Sequence, residues 1–297
     1  MIKLQGLFFG VFFTLLLALA AQAQQTPLAA GYQRTRIDSW VPPDVDQDVP
    51  QVAPGTACPL TGVLSNAGNR VQELVKNVDK YAATEVVEHQ SVDKSGQLRP
   101  PEIRKFNYLV SITKWPSGSM GVEEYRDGGS DPNQFPEHVA TVGTPSLVLI
   151  FHPDLAKDFT MTCEGLGQWQ GQPAWQIRFE ERSDTKHPTS FFVMSGRAFG
   201  LRLRGRAWIL ADSYQVGRLE TDLAGAIPEI GLRLQHEDIE YRPVRFDAGK
   251  TEMWLPSNCD LYMDFRGHRF YRRHHFTDFK LFSIELQQSW GELAHLD

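Results

Sequence analysis

The densest collection of reactive side chains in this chain is Arg266-Gly-His268-Arg269-Phe-Tyr-Arg272-Arg273-His274-His275, flanked by Asp264 and Asp278. Imidazole and carboxylate together suit zinc or iron, so a metal reading would combine His268, His274 and an Asp. In an unbroken strand His268 and His274 share a face, whereas His274 and His275 point oppositely and cannot chelate together. The neighbouring arginines would also repel a cation, so no metal and no cofactor is expected. Arg266, Arg269, Arg272 and Arg273 suit an anion or a phospholipid headgroup better, because a guanidinium grips phosphate through two parallel hydrogen bonds. The leading reading is plainer: a solvated strand face whose cross-strand Asp–Arg pairs are worth tenths of a kcal/mol.

Signals for a nucleophile fail one by one. There is no G-x-S-x-G elbow. Ser91-Val92-Asp93-Lys94 fits S-x-x-K but sits at a strand-to-turn boundary, where the lysine cannot reach the serine. Gly165-Leu-Gly167 lacks the third glycine of a dinucleotide fingerprint, and His236-Glu237 lacks the second histidine of a zincin. Glu123, Glu124, Asp127 and Glu164 are acids whose pairing no sequence spacing reveals. No catalytic residue is assigned. Cys58, Cys163 and Cys259 contain no C-x-x-C, so in an oxidising compartment one pair bridges and one thiol is left over. Three pairings are open. Cys58–Cys163 is favoured because it would pin the loop before the helix to the sheet, and Cys259 lies in an apolar-alternating strand where a buried free thiol fits.

These residues must be positioned by what surrounds them. Lys3 followed by the apolar run Leu7–Ala20 and by Ala21-Gln22-Ala23 reads as a signal peptide (1–23) cleaved after Ala23. The mature protein is therefore expected outside the cytoplasm, periplasmic or secreted, and not membrane-spanning. Residues 24–57 carry Pro27, Pro42, Pro43, Pro50 and Pro54 with Asp38, Asp44, Asp46 and Asp48, and read as an extended, solvated acidic linker. From Cys58, residues 58–297 read as one domain. Leu60, Val63, Leu64, Ala67, Val71, Leu74, Val75 and Val78 make one helical stripe. Beyond it the period is two, as in Phe106/Tyr108/Val110/Ile112, Trp175/Ile177/Phe179 and Leu261/Met263/Phe265, punctuated by turns such as Gln170-Gly171 and Arg266-Gly267. Pro136–His152 breaks that alternation and reads as short helices plugging an end of the sheet. The expected fold is mainly β with helix (α+β), a strongly curved antiparallel sheet of about ten strands around one long N-terminal helix. Of 297 residues 41% are hydrophobic, enough for a core, and the net charge of −6 argues against nucleic acid as a partner.

The order signal peptide, helix, antiparallel meander is similar to the LolA-like lipoprotein-carrier superfamily of unclosed β-barrels. The stretch Arg206–Glu220, with Trp208, Asp212, Arg218 and Glu220, resembles that superfamily's strand–turn–strand element. Trp254-Leu255-Pro256 followed by Tyr271–Phe282 resembles its closing strands. The chain also resembles uncharacterised secreted bacterial proteins over most of its mature length. The resemblance implies a non-enzymatic extracytoplasmic protein whose concave sheet face holds a lipid, an acyl chain or a lipidated partner. The alternative is a cell-envelope interaction or scaffold protein using the acidic arm and the sheet edges to bind an envelope protein. A secreted enzyme without a recognisable motif comes third.

Overall fold

The computed structural model describes residues 39–282, apart from 48, 79, 115–119, 127–134, 186–187 and 247–250. The expected leader, its cleavage point after Ala23 and residues 24–38 of the expected linker lie outside the described residues. Helix α1 (Leu60–Asn77) starts behind Pro59, carries Lys76 in its last turn, and buries Val63, Ala67 and Val71 from the predicted stripe together with Gly68. Its close approach to the segment that follows the third strand needs Gly68, where a Cβ would meet the Phe151 carbonyl at 3.2 Å.

Among the described residues twelve strands follow: β1 (Lys80–Ser91), β2 (Glu102–Lys114), β3 (Met120–Arg126), β4 (Phe159–Trp169), β5 (Gln172–Glu181), β6 (Ser190–Met194), β7 (Arg197–Leu201), β8 (Leu203–Leu210), β9 (Val216–Leu223), β10 (Leu232–Phe246), β11 (Thr251–Phe265) and β12 (His268–Phe282). Ten form one antiparallel sheet in the order β3-β2-β1-β12-β11-β10-β9-β8-β5-β4, with β3 and β4 as its edges, so the sheet is unclosed. Strands β6 and β7 form a separate hairpin, which the sequence pattern did not set apart. The hairpin loops Gln170-Gly171, Ser195-Gly196 and Arg266-Gly267 have φ > 0 at both residues, as two-residue turns matching the strand twist require.

The interruption after β3 is helical: 3₁₀ turns at Pro136–His138 and Thr144–Phe151, then helix α2 (Pro153–Ala156). A run apolar on every side has no solvent face, and all of Thr144–Phe151 except Ser146 is buried. With α1 it covers one half of the inner face, where Ile177, Phe179, Ala207, Ile209, Leu219 and Ile239 complete the core.

The outer face is covered differently. Residues 39–57, read from sequence as the far half of a solvated linker, are bound across it as a strap. Trp40 donates to the Phe270 carbonyl (3.1 Å) beside β12. Val45 is 1% exposed, its N–H on Asp222 of β9 and its carbonyl on the Arg206 guanidinium of β8. Asp44 and Asp46 pair with Arg204, and Asp46 also pairs with Arg178. Ala53 donates to the Leu166 carbonyl of β4, next to Gly165, whose Cβ would fall 2.8 Å from Val52. The solvation expected of an acidic Pro-rich segment is displaced around residues 44–46, where three arginines on neighbouring strands present a matching cationic face, while Val41, Val49 and residues 53–57 stay exposed. At the strap's end Cys58 is disulfide-bonded to Cys163 of β4, with Cα atoms 6.3 Å apart, and Cys259 is a buried free thiol.

The bridge spans 105 residues, a loop whose closure removes about 4–5 kcal/mol of unfolded-chain entropy in the polymer account. Reduction, or Cys58→Ala with Cys163→Ala, is expected to lower the folding free energy by that order in guanidinium titrations. A loss under about 1 kcal/mol would show instead that the strap contacts hold this edge without the bridge.

Candidate functional site

Where the helical cover ends, the inner face opens into a groove of about 870 Å³. Its floor is the end of the sheet: Gln235 and Glu237 on β10, Leu261, Met263 and Phe265 on β11, and Phe270 on β12. Its walls are residues 137–142 on one side and the β6–β7 hairpin on the other. The hairpin is seated by Phe192 against Phe265, ring centres 4.9 Å apart. Val142, Phe191 and Val193 stand at the mouth at 38%, 46% and 60% exposure, while Leu261, Met263 and Phe270 below them are buried. Glu137 and His138 carry consecutive left-handed backbones (φ 58° and 54°) with no hairpin to require them. Such strain persists only where surrounding contacts fix it. Here Glu137 is gripped by the Ser91 hydroxyl (2.7 Å) and by His268 (3.1 Å).

Behind the 137–142 wall the inner face turns ionic. Glu85 of β1 is fully buried and takes two hydrogen bonds from Arg126 of β3 (2.5 and 2.8 Å) and one contact from His274 of β12 (2.7 Å). Burial opposes its ionisation, but these partners outweigh burial and hold its carboxyl down to about 2. Glu124 accepts from the Tyr108 hydroxyl (2.6 Å) and from the Gly143 N–H, and burial raises its pKa. Arg272 is fully buried and clasps the wall itself. It donates to the carbonyls of Val139 (2.7 Å) and Pro136 (3.1 Å) and to Thr141 Oγ1 (2.6 Å). The Phe135 ring lies within 5.3 Å of both guanidiniums and stacks on Phe106.

One contact in this cluster resembles a catalytic pair, since His89 Nε2 is 3.1 Å from Ser91 Oγ. Its polarity is wrong for a nucleophile. Arg272 donates to His89 Nδ1 (3.4 Å), so the ring proton sits on Nε2 and points at the serine, whose own proton goes to Glu137. Burial and the Arg272 charge also push the His89 pKa down to about 3. The imidazole is a neutral donor to Ser91, not a base for it.

The arginines singled out from sequence are separated. Arg272 is buried as described, and Arg273 is doubly bonded to Asp260 on the outer face. Arg269 lies over Trp40 of the strap. Arg266 stands at the groove mouth, donating to the Ile230 carbonyl and to Met194 Sδ. The cross-strand Asp–Arg pair exists at Asp260–Arg273, but the solvated-face reading fails for Arg272 and His274, which alternate inward with Phe270 and Phe276. His268 and His274 go to different carboxylates, Glu137 and Glu85, and among the described residues no His/Cys/Asp/Glu group could hold a metal. Glu123 accepts from Tyr125, Glu164 pairs with Arg206, and Asp127 lies outside the described residues. The Arg206–Glu220 stretch is the β8–β9 hairpin, with Arg218 stacked 4.4 Å over its cross-strand partner Trp208. In sequence Glu237 is only half of an incomplete zincin motif. Its burial between Ile239 and Gln235 shows only in the fold.

The arrangement defines an open antiparallel half-barrel with an apolar groove at one end of its inner face. Among solved structures, the chain is similar to a DUF1329 family protein from Desulfovibrio piger (10% identity, 81% of this chain and 100% of that one, TM-score 0.44). It is also similar to an outer membrane lipoprotein-sorting protein domain from Vibrio parahaemolyticus (9% identity, 77% and 98% covered, TM-score 0.37). A third likeness is to the MucA/MucB complex structure from Pseudomonas aeruginosa (9% identity, 73% and 99% covered, TM-score 0.21). No protein-family model and no curated protein matches the chain. Among the described residues no helix is long and apolar enough to cross a membrane.

Two carboxyls give this site a pH signature of opposite signs. Burial pushes Glu237 up to about 7, so between about 4.5 and 7 the folded protein holds a proton that the unfolded chain has lost. Stability therefore falls as pH rises through that window. Glu85, held at about 2, adds stability above about 4.5 that is lost as pH falls toward 2. Glu237→Gln removes only the first slope. In thermal unfolding the variant is expected to exceed the wild type at pH 8 by up to a few kcal/mol, at about 1.4 kcal/mol per pKa unit. The gap should close by pH 4.5, and a gap independent of pH would contradict the assignment.

Proposed function

We propose that this is a non-enzymatic extracytoplasmic binding protein that holds an acyl chain, carried by a lipid or a lipidated partner, in the groove between residues 137–142 and the β6–β7 hairpin. The observation that carries this reading is the placement of exposed apolar surface. Val142, Phe191 and Val193, three of the large apolar side chains left in solvent, ring the mouth of one groove with an apolar floor. Surface of this kind marks a binding site more often than chance exposure does. The volume lies within the range of small-molecule sites. The leader pattern of residues 1–23 and the Cys58–Cys163 bridge support a location outside the cytoplasm. Partner capture by a free acidic arm has less support, because Asp44, Val45 and Asp46 are engaged with the protein's own arginines.

Extraction of natively purified protein followed by mass spectrometry is expected to yield an acyl-chain lipid. Val142→Glu and Val193→Glu place charge at exposed positions, so they should leave the melting temperature unchanged. Each is expected to weaken binding of a fluorescent acyl-chain probe at least tenfold. Unchanged probe binding in both variants, with no lipid in the extract, would overturn the reading.

A further inference from the structure

The groove floor has a polar feature that an acyl chain alone does not use. Glu237 is 3% exposed and lines the groove beside Leu261, its neighbour across β10–β11. One oxygen accepts the Gln235 side-chain amide at 2.6 Å. The other receives only the Cys259 thiol at 3.8 Å, a weak donor that is itself contacted by the Thr144 hydroxyl at 3.8 Å. A carboxylate offers about four acceptor positions, and leaving them dry in an apolar setting is costly. Among the described residues no arginine or lysine pairs with it. The charges that act on it are Glu124, which adds to its own, and His236, on the outer face of the same strand and bound to Asp222 (2.6 Å). Of the basic side chains lining the groove, Arg266 stands at the mouth and donates to the Ile230 carbonyl and Met194, and His268 contacts Glu137. Beyond the Gln235 amide and the weak Cys259 thiol, the described floor residues offer Glu237 no donor and no positive charge.

We propose that the groove selects apolar chains that carry a hydrogen-bond donor, a hydroxyl or an ammonium, whose N–H or O–H is accepted by Glu237, and that it discriminates against chains ending in a carboxylate. This rests on the groove being the binding site. Above the pH of about 7 at which burial holds the Glu237 carboxyl, a ligand carboxylate at the floor would meet it as a like charge in a place water cannot screen. A hydroxyl gives the open oxygen its missing donor, and an ammonium adds charge neutralisation. Glu237 thereby sets specificity, while the surrounding Leu261, Met263, Phe265 and Phe270 supply chain-length affinity.

The test compares three twelve-carbon probes below their micellar concentrations, by calorimetry on the full mature chain at about pH 8.5, where Glu237 is ionised and the ammonium still protonated: dodecan-1-ol, dodecylammonium and dodecanoate. Wild type is expected to bind at least one donor-headed probe tenfold or more tighter than dodecanoate. In Glu237→Gln the preference should shrink to about threefold or less, with dodecanoate gaining and dodecylammonium losing affinity. The wild-type ranking is a readout even if the variant folds poorly. Equal or tighter binding of dodecanoate by wild type would overturn this inference while leaving the groove reading standing, as would a preference that survives in Glu237→Gln. Failure of all three probes would overturn the groove reading and this inference with it. Preference for the ammonium over the alcohol would identify charge, and the reverse would identify the hydroxyl, as the recognised form of donor.

Discussion

A single ten-stranded sheet has two broad faces to cover, and one helix cannot cover either. Ten strands spaced about 4.8 Å apart span roughly 43 Å, whereas the eighteen residues of α1 reach about 27 Å. Much else in the molecule follows from that shortfall. The chain after β3 leaves the sheet to lay residues 135–156 against the inner face, and the chain before α1 crosses the outer face as a strap. The β6–β7 hairpin folds over the far end. Where the 135–156 segment and the β6–β7 hairpin stop short of one another, the groove is what is left open.

The second half of the inner cover is held by charge instead of packing. The 135–144 segment brings mostly backbone carbonyls to the sheet, and buried carbonyls need donors. Arg272 supplies them to the Val139 and Pro136 carbonyls, and to the Thr141 hydroxyl as well, from within a strand. A buried guanidinium in turn needs a balanced surrounding, and Arg126, Glu85 and His274 form that surrounding across β1, β3 and β12. Breaking one member of such a set leaves another charge buried without its partner, which is more costly than the pair itself is stabilising.

Much of the architecture was legible in the chain. The stripe from Leu60 to Val78, the alternation of the later strands and the loss of period after Pro136 predicted a helix, a large antiparallel sheet and a helical plug, and all three are present. The ionic interior was not legible. Along β12 the inward positions run Phe270, Arg272, His274, Phe276, so burial alternates between apolar and charged residues and mimics an ordinary wet strand. Their partners are 133 and 189 residues away in the chain, at Val139 and Glu85, beyond any local pattern. The strap misled for a related reason. Proline and aspartate do favour extended solvated chain, and only the alignment of Arg178, Arg204 and Arg206 on adjacent strands turns those aspartates into anchors.

The groove lies on the seam between the two kinds of cover. On its β11 side the floor continues the apolar core through Leu261 and Met263. On its other side the wall of 137–142 is pinned by Arg272 and by the Glu137–Ser91–His268 contacts. A wall clamped by buried hydrogen bonds cannot slide inward to fill the space, which is why a largely apolar hollow persists beside a close-packed core. Glu237 sits on that seam as well, with Cys259 and Gln235 for neighbours and, among the described residues, no cation of its own. Glu85 has Arg126 and Glu124 has the Gly143 N–H, whereas Glu237 faces the opening. The same shortfall of cover that creates the hollow therefore also decides which chemical group its floor can accept.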